Sequence, residues 1–189
     1  MIKPAVLEEE LFIVLIPERK DLNPALKLQK DISEQYNLYE GGIYPQLHIT
    51  LDRINKDALN SAKNIIRDIS KKIDEIDIRI NNFKCLQIKE KFLVLQVNKT
   101  ESLLNLSNKL HNRLTELGIS TIDNYNEWEF HMSLISNQFA KNKIPEKDLS
   151  ELCLTLDGIP QNISTKAKEI QIWRPTLDPE KKCIASFKL

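Results

Sequence analysis

The sequence predicts an α+β fold of two lobes related by approximate two-fold symmetry, with two β-sheets forming a central cleft and helices packed outside. Three observations predict it. Leu47-His48-Ile49-Thr50-Leu51 recurs as Phe130-His131-Met132-Ser133-Leu134, and in each stretch apolar residues alternate with a histidine and a hydroxyl. Phe12-Ile13-Val14-Leu15 recurs as Phe92-Leu93-Val94-Leu95 at a similar distance ahead of each histidine. The periodicity along the chain reads β-α-β-α-β and then β-α-β-α-β-β. Residues 1–189 therefore read as one domain made of two duplicated lobes, a size that can bury a substantial interior.

The elements follow in order. Leu11 to Ile16 is an unbroken apolar run, as expected of a strand covered on both faces. Asn23-Pro24 offers a helix start, with Asn as cap and Pro in the first turn, and Ala25, Leu28, Ile32 and Tyr36 follow at helical spacing. Gly41 to Pro45 is a flexible loop into the first histidine strand. Asp57 to Lys72 carries an apolar stripe of Leu59, Ala62, Ile66 and Ile69, continued by Ile73. Ile76 to Ile88 reads as a strand interrupted at Asn81-Asn82, and Lys89-Glu90-Lys91 as a tight turn into Phe92–Val97. Thr100 can cap a helix whose stripe is Leu103, Leu106, Leu110, Leu114 and Leu117, ended by Gly118. The second histidine strand comes next. Pro145 then opens a helix through Leu149, Leu152, Cys153 and Leu156, closed by Gly158. Ile163–Trp173 and Lys182–Lys188 are the final strands, joined by a Pro-containing loop.

Composition narrows the partners. Lys+Arg and Asp+Glu both number 27, a formal net charge of zero. Long nucleic-acid tracts select a basic excess, because phosphate neutralisation supplies most of that affinity. The balance favours a small substrate or a nucleic-acid end. Cys85, Cys153 and Cys183 are odd in number and show no CxxC spacing. They read as buried thiols in a reducing compartment, with neither a disulfide frame nor a zinc site. The one apolar run near the start is too short, and too acidic in its approach, for a signal peptide or membrane span. The expectation is a soluble, cytoplasmic monomer with no membrane partner.

Strand side chains alternate, so Leu47, Ile49 and Leu51 share one face while His48 and Thr50 share the other. Phe130, Met132 and Leu134 oppose His131 and Ser133 in the same way. Two imidazoles and two hydroxyls around a cleft suit in-line attack at phosphorus. One neutral histidine accepts a proton, the other, protonated, supplies one to the departing oxygen, and Thr50 and Ser133 donate to the non-bridging oxygens. Histidine suits both roles because its ordinary pKa lies near neutrality. Other classes fit poorly: H-x-x-x-H spacing, glycine-rich phosphate loops and a G-x-S-x-G elbow are all missing from the sequence. Asp52 shares the His48 face by alternation, which leaves a metal open. His111, followed by Asn112-Arg113, reads as solvent-facing and structural.

These paired motifs resemble those of the 2H phosphoesterase superfamily, in its 2′-5′ RNA ligase-like and cyclic phosphodiesterase branch. The resemblance spans Leu11 to Leu189 and places the catalytic pairs at His48/Thr50 and His131/Ser133. It implies metal-independent, cofactor-free opening of 2′,3′-cyclic phosphates on a nucleotide or RNA end. It equally admits chemistry at 2′-5′ RNA linkages, or a binding protein that senses such ends without turnover. Many relatives carry a basic residue soon after the second motif; here Ile135-Ser136-Asn137 follows. For substrate contacts, Tyr44 or Trp173 could stack on a base and Arg174 could meet phosphate. Both aromatics read equally well as core or rim residues.

Overall fold

The computed structural model describes residues 3–87 and 91–189. Seven strands, β1 (Glu10–Pro17), β2 (Ile49–Asn55), β3 (Ile76–Gln87), β4 (Lys91–Val97), β5 (His131–Ser136), β6 (Pro160–Trp173) and β7 (Cys183–Lys188), carry the molecule. Five helices accompany them: α1 (Asn23–Gln35), α2 (Leu59–Ser70), α3 (Glu101–Glu116), α4 (Glu146–Leu156) and the single-turn α5 (Pro179–Lys182). The strand order is β2-β1-β6-β3-β4-β5, with β7 also on β6, and every pairing is antiparallel. All seven strands form one sheet, in which the two expected sheets are halves joined through the β3–β6 pairing. Along its length β6 serves both, meeting β3 over Pro160–Ala167 and then lying between β1 and β7.

The halves exchange their third strands. β3 follows β2 in the chain but pairs with β4, and β6 follows β5 but pairs with β1. The registers of the two halves match as well. Val14 faces Thr50 while Ile13 faces Asp52, which leaves Leu51 as an extra residue; Val94 faces Ser133 while Leu93 faces Ile135, which leaves Leu134. Each histidine strand therefore carries a β-bulge at the same place, one residue beyond its hydroxyl. Edge strands β2 and β5 approach one another across the cleft.

Period-2 and period-3.6 patterns fix the burial. Leu11, Ile13 and Leu15 of β1 lie within one buried cluster with Ile49, Leu51, Ile66, Ile69, Leu103, Leu106, Leu110 and Leu114. Thr100 caps α3 by accepting from the Leu103 amide at 3.3 Å, and Gly118 follows at φ +66°, the left-handed turn that ends the helix.

Several expectations change. Asn23 is already helical, because a 3₁₀ turn over Arg19–Leu22 runs straight into α1 and no side chain caps it. Leu117 is 59% exposed, since α3 ends one residue before it. The break at Asn81-Asn82 is a bulge inside a continuous β3. Ile88 and the Lys89-Glu90 part of the predicted turn lie outside the described residues. Cys85 and Cys153 form a disulfide joining β3 to α4, and Cys183 is exposed, so the reading of three reduced, buried thiols is corrected. The pairing spans 68 residues and becomes possible only because α4 packs on β3 and β4. The cysteines accordingly no longer argue for a reducing compartment.

Candidate active site

The two histidines are held by the same local device. His48 stands just ahead of β2 and His131 is the first residue of β5. The Nδ1 of His48 lies 2.8 Å from the Gln46 carbonyl, and that of His131 lies 3.0 Å from the Glu129 carbonyl, each two residues earlier. A carbonyl oxygen can only accept, so Nδ1 carries a proton in both rings, and Nε2 is the nitrogen left to gain or lose one. Both rings are half-buried, as are Thr50 and Ser133. Neither hydroxyl has a hydrogen-bond partner among the described residues.

Three side chains tie the two histidine strands and their approaches together. Gln29 of α1 donates to the Pro45 carbonyl at 3.0 Å and to the Leu134 carbonyl at 3.1 Å. Trp128 Nε1, from the segment before β5, donates to the Thr50 carbonyl at 3.1 Å. Tyr39 Oη donates to the Ser136 carbonyl at 3.2 Å. These contacts hold the strand that carries His48 and Thr50 beside the one that carries His131 and Ser133, close enough for the charge of His131 to act on His48.

The electrostatics of the rings differ. Burial lowers the His48 pKa to about 4, its Gln46 hydrogen bond works the other way, and the nearby charges of His131 and Lys182 depress it further. Burial also lowers His131, but the Glu129 carbonyl and carboxylate oppose the shift while Lys84 adds to it. Lys84 itself is paired with Glu129 at 2.7 Å. Register explains its presence: Val94 of β4 faces both Lys84 on β3 and Ser133 on β5, and directly opposed residues share a face. The corresponding row of the first half is Gln171-Val14-Thr50.

The predicted substrate contacts fare unevenly. Trp173 lies beside His48, ring centroids 4.6 Å apart, but it is only 5% exposed and offers little surface for stacking. Arg174 is exposed and donates to the Lys181 carbonyl at 3.2 Å, so its guanidinium is engaged with the turn at α5. Tyr44 donates to Glu34 of α1 at 3.2 Å and packs edge-on against Tyr39, a placement tied to α1.

The structure places two other residues, Asp52 and His111, differently from the sequence reading. The bulge at Leu51 turns Asp52 to the core face opposite Ile13, where it is fully buried and accepts hydrogen bonds from the Arg53 amide, Ser120 and His111. His111 is consequently no solvent-facing residue. Its Nδ1 donates to Asp52 at 2.7 Å and its ring stacks on Tyr125 with centroids 3.8 Å apart. Asp52 is thus removed from the histidine cleft, and among the described residues no group of three or more His, Cys, Asp or Glu gathers into a metal-binding cluster. Lys84, Glu129 and Lys182 carried no motif that could have flagged them; only strand register and the turn at α5 bring them in.

Residues 12–178 match the family model of the AKAP7 2'5' RNA ligase-like domain. The chain belongs to that family. With it, the chain falls in the 2H phosphoesterase superfamily, and the coarse functional class is phosphoesterase or RNA ligase-like. Three solved structures share the 2H fold. TT0787 of Thermus thermophilus superposes with TM-score 0.68 at 15% identity, covering 95% of this chain and 97% of that one. E. coli LigT complexed with 3'-AMP gives 0.56 at 12% identity and 87% coverage of both chains. Kluyveromyces marxianus Usb1 gives 0.55 at 11% identity, covering 98% of this chain and all of that one. No curated protein sequence matches the chain. Among the described residues, no helix of this 2H protein is long and apolar enough to cross a membrane.

Proposed function

We propose that the protein opens 2′,3′-cyclic phosphodiesters, on a nucleotide or an RNA end, by two-histidine acid–base catalysis without a metal ion. The observation that carries this reading is the repeated anchor: each histidine gives Nδ1–H to the carbonyl two residues earlier, which keeps Nε2 free for proton transfer beside an unpartnered hydroxyl. E. coli LigT, with the same fold, binds 3'-AMP, a ligand that carries the product's phosphate on a ribose hydroxyl.

In this scheme His48 is the base. At neutral pH it is the neutral imidazole with its one proton on Nδ1, so its Nε2 can take a proton from the attacking water as oxygen bonds to phosphorus. His131, whose lowering by burial Glu129 opposes, is the acid and donates from Nε2 to the ribose oxygen as the P–O bond breaks. Thr50 and Ser133 donate hydrogen bonds to the non-bridging oxygens, where negative charge grows. The matched registers and bulges of the two halves support the duplicated-lobe reading, each lobe contributing one histidine and one hydroxyl.

The test is turnover of 2′,3′-cyclic AMP by the purified protein in excess EDTA, alongside His48→Ala and His131→Ala. We expect activity to persist in EDTA and to fall about 10²- to 10⁴-fold in each variant, the usual contribution of a general acid or base. Activity abolished by EDTA, or retained by either variant, would refute the scheme.

A further inference from the structure

Three cations stand on or beside the cleft face, and they are not equivalent. Arg53, opposite Phe12 and Trp173 in register, is paired with Glu10 at 3.3 Å. Lys84 is paired with Glu129 at 2.7 Å. Lys182 has no carboxylate partner and no side-chain hydrogen bond among the described residues, although it is only 9% exposed. Its stem is buried, while the unpaired ammonium is not among the buried atoms without a partner and so keeps an opening to solvent through which an anion could reach it.

The chain takes trouble to place it there. The single turn α5 is capped by Asp178, whose carboxylate accepts from the Glu180 amide at 3.0 Å and pairs with Lys181 at 3.1 Å. The Lys182 amide donates to the Asp178 carbonyl at 2.9 Å, and its own carbonyl accepts from the Arg174 amide at 2.8 Å. Asp178 is therefore already occupied by Lys181, while Lys182 is turned the other way. Its ammonium sits 4.8 Å from the centre of the Trp173 ring, and that ring lies against His48. A cation–π contact offsets part of the burial cost but supplies no negative charge.

We propose that Lys182 is the anion-binding residue of the cleft, meeting the phosphoryl oxygens of the substrate beside His48. The inference rests on the phosphodiester reading for its substrate, though not for the anion site itself. It also gives this chain a cation at phosphate that the segment after the second motif, Ile135-Ser136-Asn137, does not provide. A compact ammonium suits a phosphoryl group that must shift as the bond to water forms. Partial desolvation makes that one charge count for more than a fully solvated lysine would.

The experiment uses the full chain as wild type, Lys182→Met and Lys182→Arg. Thermal melts are run across a series of inorganic phosphate concentrations at constant ionic strength, together with KM for 2′,3′-cyclic AMP. Phosphate should raise the wild-type Tm, fail to do so in Lys182→Met and still do so in Lys182→Arg. KM should rise about 10- to 100-fold in Lys182→Met, the loss expected of one hydrogen bond to a charged group. Its phosphate-free Tm should be unchanged or higher, because methionine keeps the buried apolar stem and removes a partly desolvated charge that has no counter-ion. A phosphate response kept by Lys182→Met, or missing in the wild type, would overturn the proposal. Lys182→Gln covers failure of the methionine variant to fold; if both neutral variants unfold, Lys182 is a structural brace for Trp173 and the proposal falls. A wild type that turns over no cyclic AMP yet shows the Lys182-dependent phosphate shift would overturn the phosphodiester reading and leave the anion site standing. Normal turnover by Lys182→Met would do the reverse.

Discussion

His48 and His131 share one backbone anchor but sit in different fields, and the difference has a measurable consequence. Burial and the cation of Lys182 hold His48 at about 4, whereas Glu129 counteracts the lowering at His131. In the proposed scheme the free protein must hold His48 neutral and His131 protonated. The first condition fails as pH drops below about 4, and the second fails as pH rises through the lowered value of His131. The profile of kcat/KM should therefore be bell-shaped and fall off on its alkaline side below the ordinary histidine range, and Glu129→Gln should move the His131 limb to lower pH. An optimum above pH 7 would contradict the assignment. The same shift bears on folding. A histidine whose folded pKa is depressed binds fewer protons than the unfolded chain, so its contribution to stability is lost as pH falls from 6.5 towards 4. At this scale the sequence was generous with His48, Thr50, His131 and Ser133, whose alternation is local. It was silent on Lys182, a residue in a turn whose importance comes from what it fails to meet.

Among the elements, α3 separates what a periodic stripe says from where a helix stops. Leu103, Leu106, Leu110 and Leu114 are fully buried, yet Leu117 continues the same spacing and is 59% exposed. Leu106→Ala should cost about 2–5 kcal/mol in urea unfolding, whereas Leu117→Ala should stay within about 0.5 kcal/mol. Equal losses would mean that α3 extends further than described. The histidine strands teach a related lesson. Alternation predicts Asp52 on the His48 side, but a bulge adds one residue and reverses every side chain beyond it. The bulge at Leu51 leaves no mark in the sequence, since apolar Leu51 suits either arrangement. That single residue converts an apparent third cleft ligand into the buried partner of His111.

For the molecule as a whole, the β-α-β-α-β repeat made the architecture legible, because each half announces its strands and helices by local pattern. Long-range pairing was not legible. Nothing near Cys85 or Cys153 shows that residues 68 apart will be bridged. Closing a loop of that length restricts the unfolded chain by about 4 kcal/mol in the chain-entropy account. Replacing Cys153 by Ser, or adding a reductant, should lower unfolding stability by about 2–4 kcal/mol. Turnover of 2′,3′-cyclic AMP at moderate temperature should be retained, since neither cysteine contacts the histidine strands in register. A variant as stable as the oxidised protein would show that the bridge contributes nothing.

The exchange of β3 and β6 between the halves has its own implication. A chain ending after β3 would offer β1 no neighbour on its β6 side and leave β3 without β4. Two copies of such a half could satisfy each other, the third strand of one lying on the first strand of its mate. One polypeptide thus holds the pairing that two such copies would make, its two halves related across the β3–β6 seam. The halves are nonetheless unlike: Lys84 stands opposite Val94 where Gln171 stands opposite Val14, so the two histidine strands lie in different electrostatic surroundings.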